Sequence, residues 1–152
     1  MNIDEIKRSL LERLPNFADA INNANFIENK EKTQTVGTDG KDIFYDSDYF
    51  EGRDFEQILF AFANAVCHIA FNHVEQIEGK DQFLWNVATD AVINKLLSKS
   101  GFTAVDHAIN MPEGETQTAD EIYANLSSMN QVDRNKAINS ATGFDPEAHI
   151  RI

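Results

Sequence analysis

The sequence predicts an α+β fold that is mostly helical, with a small antiparallel β-hairpin or sheet beside a central buried helix. Three observations support this prediction: helical spacing of apolar residues near the N-terminus, an Asp-Gly pair between two β-prone runs, and one long segment that is apolar on all sides. The chain of 152 residues is long enough to bury roughly two-thirds of its unfolded surface. We therefore expect a single domain over residues 1–152.

The N-terminal part is expected to be helical. Apolar side chains recur at every third or fourth position from Ile3 to Leu14, and Pro15 ends this pattern. This spacing predicts an amphipathic helix over residues 3–14. A second, shorter helix is expected over 16–23.

Short strands are expected next, because β-prone residues replace the helical pattern. They are predicted over 26–28, 33–36 and 42–45. Asp39 and Gly40 lie between the last two strands, and both residue types tolerate positive φ. This pair therefore predicts a hairpin turn.

The most apolar stretch of the chain covers residues 54–77 and predicts the central helix. One face carries a stripe of large apolar residues, and the opposite face adds Phe60, Cys67 and Phe71, so burial is expected on all sides. Cys67 is the one cysteine of the chain. It is expected to be a buried thiol that packs as a small hydrophobe.

A further helix is predicted over about 81–98, with Asp81 as its N-cap and Gly101 closing it. Residues 102–117 lack periodicity, and we expect them to form a long surface loop. The capping-box pattern over 118–121 then predicts another helix.

Beyond Met129 the chain is polar and weakly patterned. The core is therefore expected to span residues 3–126. Residues 127–152 are expected to form either a C-terminal docking segment or a partly disordered tail.

The charge of the chain limits its partners. There are 13 Lys and Arg against 25 Asp and Glu, a formal net charge of −12, which opposes binding to phosphate backbones and anionic lipids. No run approaches the roughly 18 apolar residues of a membrane span, and the N-terminus has no signal-peptide pattern. We expect a cytoplasmic protein without nucleic-acid or membrane partners, and an acidic decoy for a basic partner remains open.

Polar residues on the central helix form a candidate site. Asn64 and His68 are four positions apart and therefore share a helix face. Metallopeptidase helices place two histidines at this spacing to bind one zinc, and a carboxylate base follows the first histidine. Here Asn64 and Ala65 stand in those two positions, so the first ligand and the base are both missing.

His73 follows His68 by five positions, about 140° further round a regular helix. The two rings therefore share an ion only if the helix breaks between them. Asn72 tolerates the left-handed region and could supply such a break. Otherwise His73 is expected to be a hydrogen-bonded core or helix-end histidine.

On the next helix, Asp90 and Asn94 interrupt an apolar stripe that runs through Val87 and Leu97. Buried polar groups need partners, and His68 is the natural one. From the residues alone, two alternatives remain open: a metal site shared by these side chains, or a buried hydrogen-bond network.

Four segments carry a resemblance to a known family: Thr38-Asp39-Gly40 with Tyr45, and the segments 64–73, 84–94 and 120–123. They resemble the T-D-G-x-x-x-x-Y, H-E-x-x-H-x-x-x-x-H, L-W-N-x-A-x-D-x-x-I-N and D/E-E-I-Y patterns of the bacterial putative metallopeptidase domain that commonly precedes a von Willebrand A-like domain. The resemblance extends from residue 35 to about residue 126, roughly three-fifths of the chain.

The resemblance implies a zincin-like fold with a degenerate zinc motif. By position, His68 matches the second motif histidine, His73 the trailing histidine and Asp90 a candidate further ligand, so these three are the vestigial metal residues. Asn64 and Asn94 are then expected to line the cleft beside them. Loss of a general base alone costs about 10²–10⁴ in rate, so the degenerate motif implies that catalysis is lost.

We therefore predict a metallopeptidase-like pseudoenzyme that binds a protein or peptide segment, with no catalytic residue and no cofactor. The alternative is a metal-dependent hydrolase, a peptidase with a rewired zinc site of His68, His73 and Asp90. The resemblance further implies a partner, either an AAA-type ATPase or a von Willebrand A-like protein.

Overall fold

The computed structural model describes residues 2–105 and 108–141, and these form six α-helices and a three-stranded sheet. The mostly helical content and the small sheet agree with the predicted α+β class. None of the described helices is long and apolar enough to cross a membrane. The helices are α1 (Ile3–Arg13), α2 (Ala18–Asn23), α3 (Phe55–Ala70), α4 (Gln82–Lys99), α5 (Ala119–Ser128) and α6 (Gln131–Ala141), and the strands are β1 (Phe26–Glu28), β2 (Val36–Thr38) and β3 (Ile43–Tyr45).

The three strands form a mixed sheet in the order β1-β3-β2. Strands β2 and β3 pair antiparallel, which confirms the predicted hairpin, and Gly40 takes a φ of 94° in the turn between them. Strand β1 instead pairs parallel with β3, so the expectation of an antiparallel sheet is wrong for this strand. The reason is that the chain crosses from β1 to the far edge of the sheet before the hairpin returns it to the middle.

The second predicted strand is displaced, because β2 begins at Val36 whereas the prediction covered 33–36. Local hydrogen bonds hold the preceding residues in a turn. The Thr33 N–H donates to the Asn29 carbonyl, and the Thr33 hydroxyl accepts from the Thr35 N–H. Such local bonds compete with strand pairing.

Helix α3 is the predicted central buried helix, and it begins with a capping box at Asp54. It ends at Ala70 and not at 77, because Asn72 adopts a left-handed φ of 56°. The His73 N–H then donates to the His68 carbonyl at 3.0 Å, the bond that closes a helix around a left-handed residue. The helix break for which Asn72 is suited is therefore present.

Helix α4 packs beside α3 and begins at the predicted N-cap, Asp81. One hydrophobic cluster joins α1, α2, the sheet and α3, and a second joins α4 with α5 and α6. Cys67 belongs to the first cluster and Trp85 to the second, and both are fully buried. The prediction that Cys67 is a core thiol is confirmed.

The segment after α4 is not the surface loop expected for 102–117. Pro112–Glu115 forms a short 3-10 helix against α4, and Gly114 lies so close that a Cβ there would be 2.1 Å from the Ala91 carbonyl oxygen. The segment packs on the helices with an irregular backbone. Its sequence therefore shows neither helical nor strand periodicity. Four of its apolar side chains are buried: Phe102, Val105, Ile109 and Met111.

Helix α5 opens with the predicted capping box. Helix α6 was not predicted, because its sequence is polar and weakly patterned. The Arg134 guanidinium joins the two helices by donating to three carbonyls at the end of α5, those of Leu126, Ser127 and Met129. The segment 127–152 was expected to be a docking segment or a tail. Within it, α6 packs its apolar side against the second cluster. Residues 142–152 lie outside the described residues.

Candidate functional site

Five polar side chains are buried together between α3, α4 and the turn that follows α3. We call them the buried polar network: Asn64, His68, His73, Asp90 and Asn94. His73 and Asn94 are 6% exposed, and the other three are 1% exposed or less. The structure therefore brings together every metal and cleft residue that the sequence indicates.

The network forms because polar positions on α3 and α4 face each other in antiparallel register. Asn64 bonds to Asp90 and Asn94, whereas His68, one turn later on α3, bonds to Asp90, one turn earlier on α4. Side chains four positions apart share a helix face. Each helix therefore directs two of its polar groups at the other.

The hydrogen bonds fix the direction in which the Asn64 amide points. The Ile109 carbonyl can only accept, so Asn94 Nδ2 donates to it at 3.0 Å and Asn94 Oδ1 turns toward Asn64. Asn64 Nδ2 then donates to Asn94 Oδ1 at 2.9 Å and to Asp90 Oδ1 at 3.0 Å. Asn64 thus presents N–H groups, and no lone pair, to these two neighbours.

His68 occupies the middle of the network and uses both of its ring nitrogens. Its Nε2 lies 3.0 Å from Asp90 Oδ1, and its Nδ1 lies 3.1 Å from His73 Nδ1. When the Nε2–H of His68 donates to the Asp90 carboxylate and the ring carries no second proton, its Nδ1 accepts a hydrogen bond from the His73 Nδ1–H. The two neighbours of His68 therefore lie on opposite edges of its ring.

His73 is held as a neutral base. Burial, and secondarily the neighbouring His68, lower the pKa of His73 from 6.5 to about 3, although Asp90 acts in the opposite direction. The ring therefore carries one N–H near neutral pH. Trp85 fixes the turn, because its indole Nε1 donates to the His73 carbonyl at 2.8 Å and the two rings meet edge-on at 5.7 Å between centroids.

These contacts do not fit a three-ligand zinc site. A catalytic zinc needs three protein donor atoms whose lone pairs converge on one point. His68 directs opposite ring edges at His73 and Asp90, so in this arrangement one ion cannot contact all three, and Asn64 turns its Nδ2, not its oxygen, toward Asp90. Among the described residues, no three His, Cys, Asp or Glu side chains are grouped as metal ligands.

The position to which the resemblance assigns the general base carries no acid–base group. Ala65 stands there, is fully buried and has no group that can take a proton from water. His68 is fully buried as well, and Asp90 is 1% exposed. Asn64 and Asn94, 1% and 6% exposed, lie in the core beside them.

One further polar residue of this region escaped the sequence analysis. Asn86 lies four positions before Asp90 on α4 and is fully buried. Within the described part of the chain, neither of its side-chain polar atoms has a hydrogen-bond partner, and the same holds for Asn64 Oδ1. The spacing of four from Asp90 is the sequence signal that identifies it.

A family model described as a putative metallopeptidase domain matches residues 2–149. The match includes the whole buried polar network. Searches of curated proteins and of solved structures returned no match.

Proposed function

The chain belongs to the putative metallopeptidase domain family, and on that premise we propose that it keeps a zincin-like fold, has lost peptide hydrolysis and acts as a protein- or peptide-binding module. The observation that carries the proposal is the Asn64 amide, which donates from Nδ2 to Asp90 Oδ1 at 3.0 Å. An N–H group stands where the family motif places a zinc-binding imidazole. An amide nitrogen has no free lone pair to give to a metal.

The proposed loss of hydrolysis follows from what the reaction requires. A zinc peptidase uses its ion to activate water and a neighbouring carboxylate to accept the proton. Asn64 replaces the imidazole with an amide whose Nδ2 faces Asp90, and Ala65 has no group that can act as the base. Loss of the base alone reduces a rate by about 10²–10⁴, and loss of the ion removes water activation as well.

The proposed binding role is supported by a core that is fully bonded around Asp90. The Asp90 carboxylate accepts hydrogen bonds from Asn64 and His68, so the buried charge is accommodated without an ion. A scaffold of this kind can bind a polypeptide that it no longer cuts. The partners that we propose from the resemblance are an AAA-type ATPase or a von Willebrand A-like protein, and the net charge of −12 favours one with a basic surface.

Metal content is the direct test. Protein purified after expression with added zinc should contain far less than one zinc per chain by elemental mass spectrometry. The matched variant His68→Ala should contain no less than the wild type. A zinc content near one per chain that His68→Ala abolishes would instead favour the rewired hydrolase and contradict the proposed loss of the metal site.

A gain-of-ligand variant tests whether Asn64 is the cause. Asn64→His restores an imidazole one turn from His68 and removes the N–H donor to Asp90, so this variant should take up zinc that the wild type does not. Asn64→Ala is its matched control, since it removes the same donor and adds no ligand. Hydrolysis of fluorogenic peptides by the wild type, in the presence of zinc and sensitive to chelators, would overturn the proposal.

A further inference from the structure

A surface pocket shares no lining residue with the buried polar network. It has a volume of about 450 Å³ and is open to solvent, within the range of about 300–1,000 Å³ for pockets that hold small ligands or side chains. We call it the Tyr45 pocket, and six residues line it: Ile3, Glu28, Tyr45, Ser47, Phe50 and Glu51. Two of the six are acidic and none is basic.

Two of the lining residues, Tyr45 and Phe50, form an aromatic pair. The Tyr45 and Phe50 rings are stacked, with centroids 5.6 Å apart and planes inclined by 13°. Both rings also contact Phe62, at centroid distances of 5.7 and 5.9 Å. Phe62 is fully buried in the first hydrophobic cluster, so the core holds the aromatic pair in place.

The acidic groups of the pocket are available to a cation from outside. Glu28 Oε2 accepts from the Ser47 N–H at 3.0 Å, and hydrogen bonds from the Ser47 side chain and backbone lower the pKa of Glu28. The Lys30 ammonium also acts on the Glu28 carboxylate, but its direct ion pair is with another residue. Lys30 pairs with Asp48 at 2.8 Å, and the Arg53 guanidinium donates to the Tyr49 carbonyl.

We propose that the Tyr45 pocket binds an arginine side chain of a partner polypeptide, whose guanidinium packs against Tyr45 and Phe50 and pairs with Glu28 and Glu51. The inference rests on the proposed function as a binding module, and it names the chemistry of the partner segment. Arginine fits better than lysine, because its planar group both packs on aromatic rings and bonds to carboxylates through two N–H groups. The net charge of −12 attracts such a basic segment.

The protein already uses this packing within its own chain. The Arg53 guanidinium lies 4.0 Å from the centroid of the Tyr49 ring, and that of Arg13 lies 4.1 Å from the centroid of Phe102. Arg13 also pairs with the Glu56 carboxylate at 2.8 Å. An arginine held between an aromatic ring and a glutamate is therefore an arrangement that this structure contains.

The test is an NMR titration of the full chain with N-acetyl-arginine methylamide. The backbone amides of the pocket residues should shift in a saturable way with a dissociation constant in the millimolar range. N-acetyl-citrulline methylamide has almost the same shape without the charge, and it should produce no saturable shift. The double variant Glu28→Gln/Glu51→Gln should bind at least about fivefold more weakly, whereas Glu113→Gln, remote in sequence and outside the pocket, should bind like the wild type.

Three outcomes would overturn the inference: no saturable shift with the arginine compound, equal shifts with the citrulline compound, or shifts spread over other acidic surfaces and unchanged in the double variant. None of these concerns metal content, so the proposed loss of catalysis would stand. Conversely, a zinc-loaded and active chain would overturn the proposed function and leave the titration interpretable.

Discussion

Replacing Asp90 with alanine should remove the acceptor that holds the buried polar network together. Asp90 Oδ1 accepts from Asn64 Nδ2 and His68 Nε2, both at 3.0 Å, and the residue is 1% exposed. Truncation leaves two buried donors without their acceptor. An unsatisfied buried donor costs about 1–3 kcal/mol, so the two together should cost about 2–6 kcal/mol of unfolding free energy. For a chain of this size, that loss corresponds to a decrease in Tm of roughly 10 °C.

Urea unfolding followed by tryptophan fluorescence measures this change. Trp85 is the one tryptophan of the chain and is fully buried, with its indole bonded to the His73 carbonyl. Its emission therefore reports on the region around the network. Far-UV circular dichroism should give the same midpoint if unfolding is two-state.

Two variants calibrate the result. Asp19 is an exposed residue in the first turn of α2, so Asp19→Ala should change stability by about 0.5 kcal/mol or less. Asp90→Asn keeps an acceptor oxygen and loses the charge, and should fall between the wild type and Asp90→Ala. A loss below about 1 kcal/mol in Asp90→Ala would refute the view that these bonds join α3 to α4.

Three further predictions concern other parts of the core. Gly114→Ala should lower stability by about 1–3 kcal/mol in thermal unfolding, because its Cβ would meet the Ala91 carbonyl oxygen at 2.1 Å. Cys67 should resist thiol reagents until the chain unfolds, since burial raises its pKa to about 12. His73 has a pKa of about 3 in the folded chain against 6.5 for the free side chain, so its contribution to stability is present above 6.5 and is lost as the pH falls toward 3. That loss should reach about 2 kcal/mol between pH 7 and 5 in urea unfolding, and His73→Gln should abolish this part of the pH dependence.

Each of these three predictions has a control or an outcome that would contradict it. Glu115→Ala changes an exposed residue beside Gly114 and should be nearly neutral, so equal losses in both variants would contradict the steric argument. Modification of Cys67 in folded protein at the rate of a free thiol would show that the helix opens easily. Parallel pH profiles for the wild type and His73→Gln would show that His73 titrates normally.

The sequence predicts those parts of the fold that have a local physical signal. The N-cap at Asp81, the capping box at Thr118 and the turn at Gly40 lie where they were expected. The parallel pairing of β1 with β3 was missed because strand order depends on the path of the chain between strands. Irregular covering segments such as 102–117 carry no period, so their burial is invisible to pattern analysis.

At the site, residue type and spacing identified all five members of the buried polar network. The spacing of Asn64 and His68 predicts a common helix face, and the polar breaks at Asp90 and Asn94 predict buried partners for them. Spacing could not predict the order in which the hydrogen bonds connect these five side chains. That order depends on which ring edge of His68 meets each neighbour, and it is fixed by packing in three dimensions.

The position of the His73 ring depends on the backbone torsion of Asn72, the left-handed residue that follows α3. On a continuous helix this ring would point about 140° away from His68, whereas the φ of 56° at Asn72 returns it to within 3.1 Å. A substitution at Asn72 that removes the left-handed torsion should therefore break the contact between His68 and His73, even when the new side chain touches no polar atom of the network. Glycine should preserve the bend, and valine or isoleucine should oppose it. Efforts to rebuild a metal centre here would have to treat the torsions of Asn72 as a design variable equal in weight to the donor atoms.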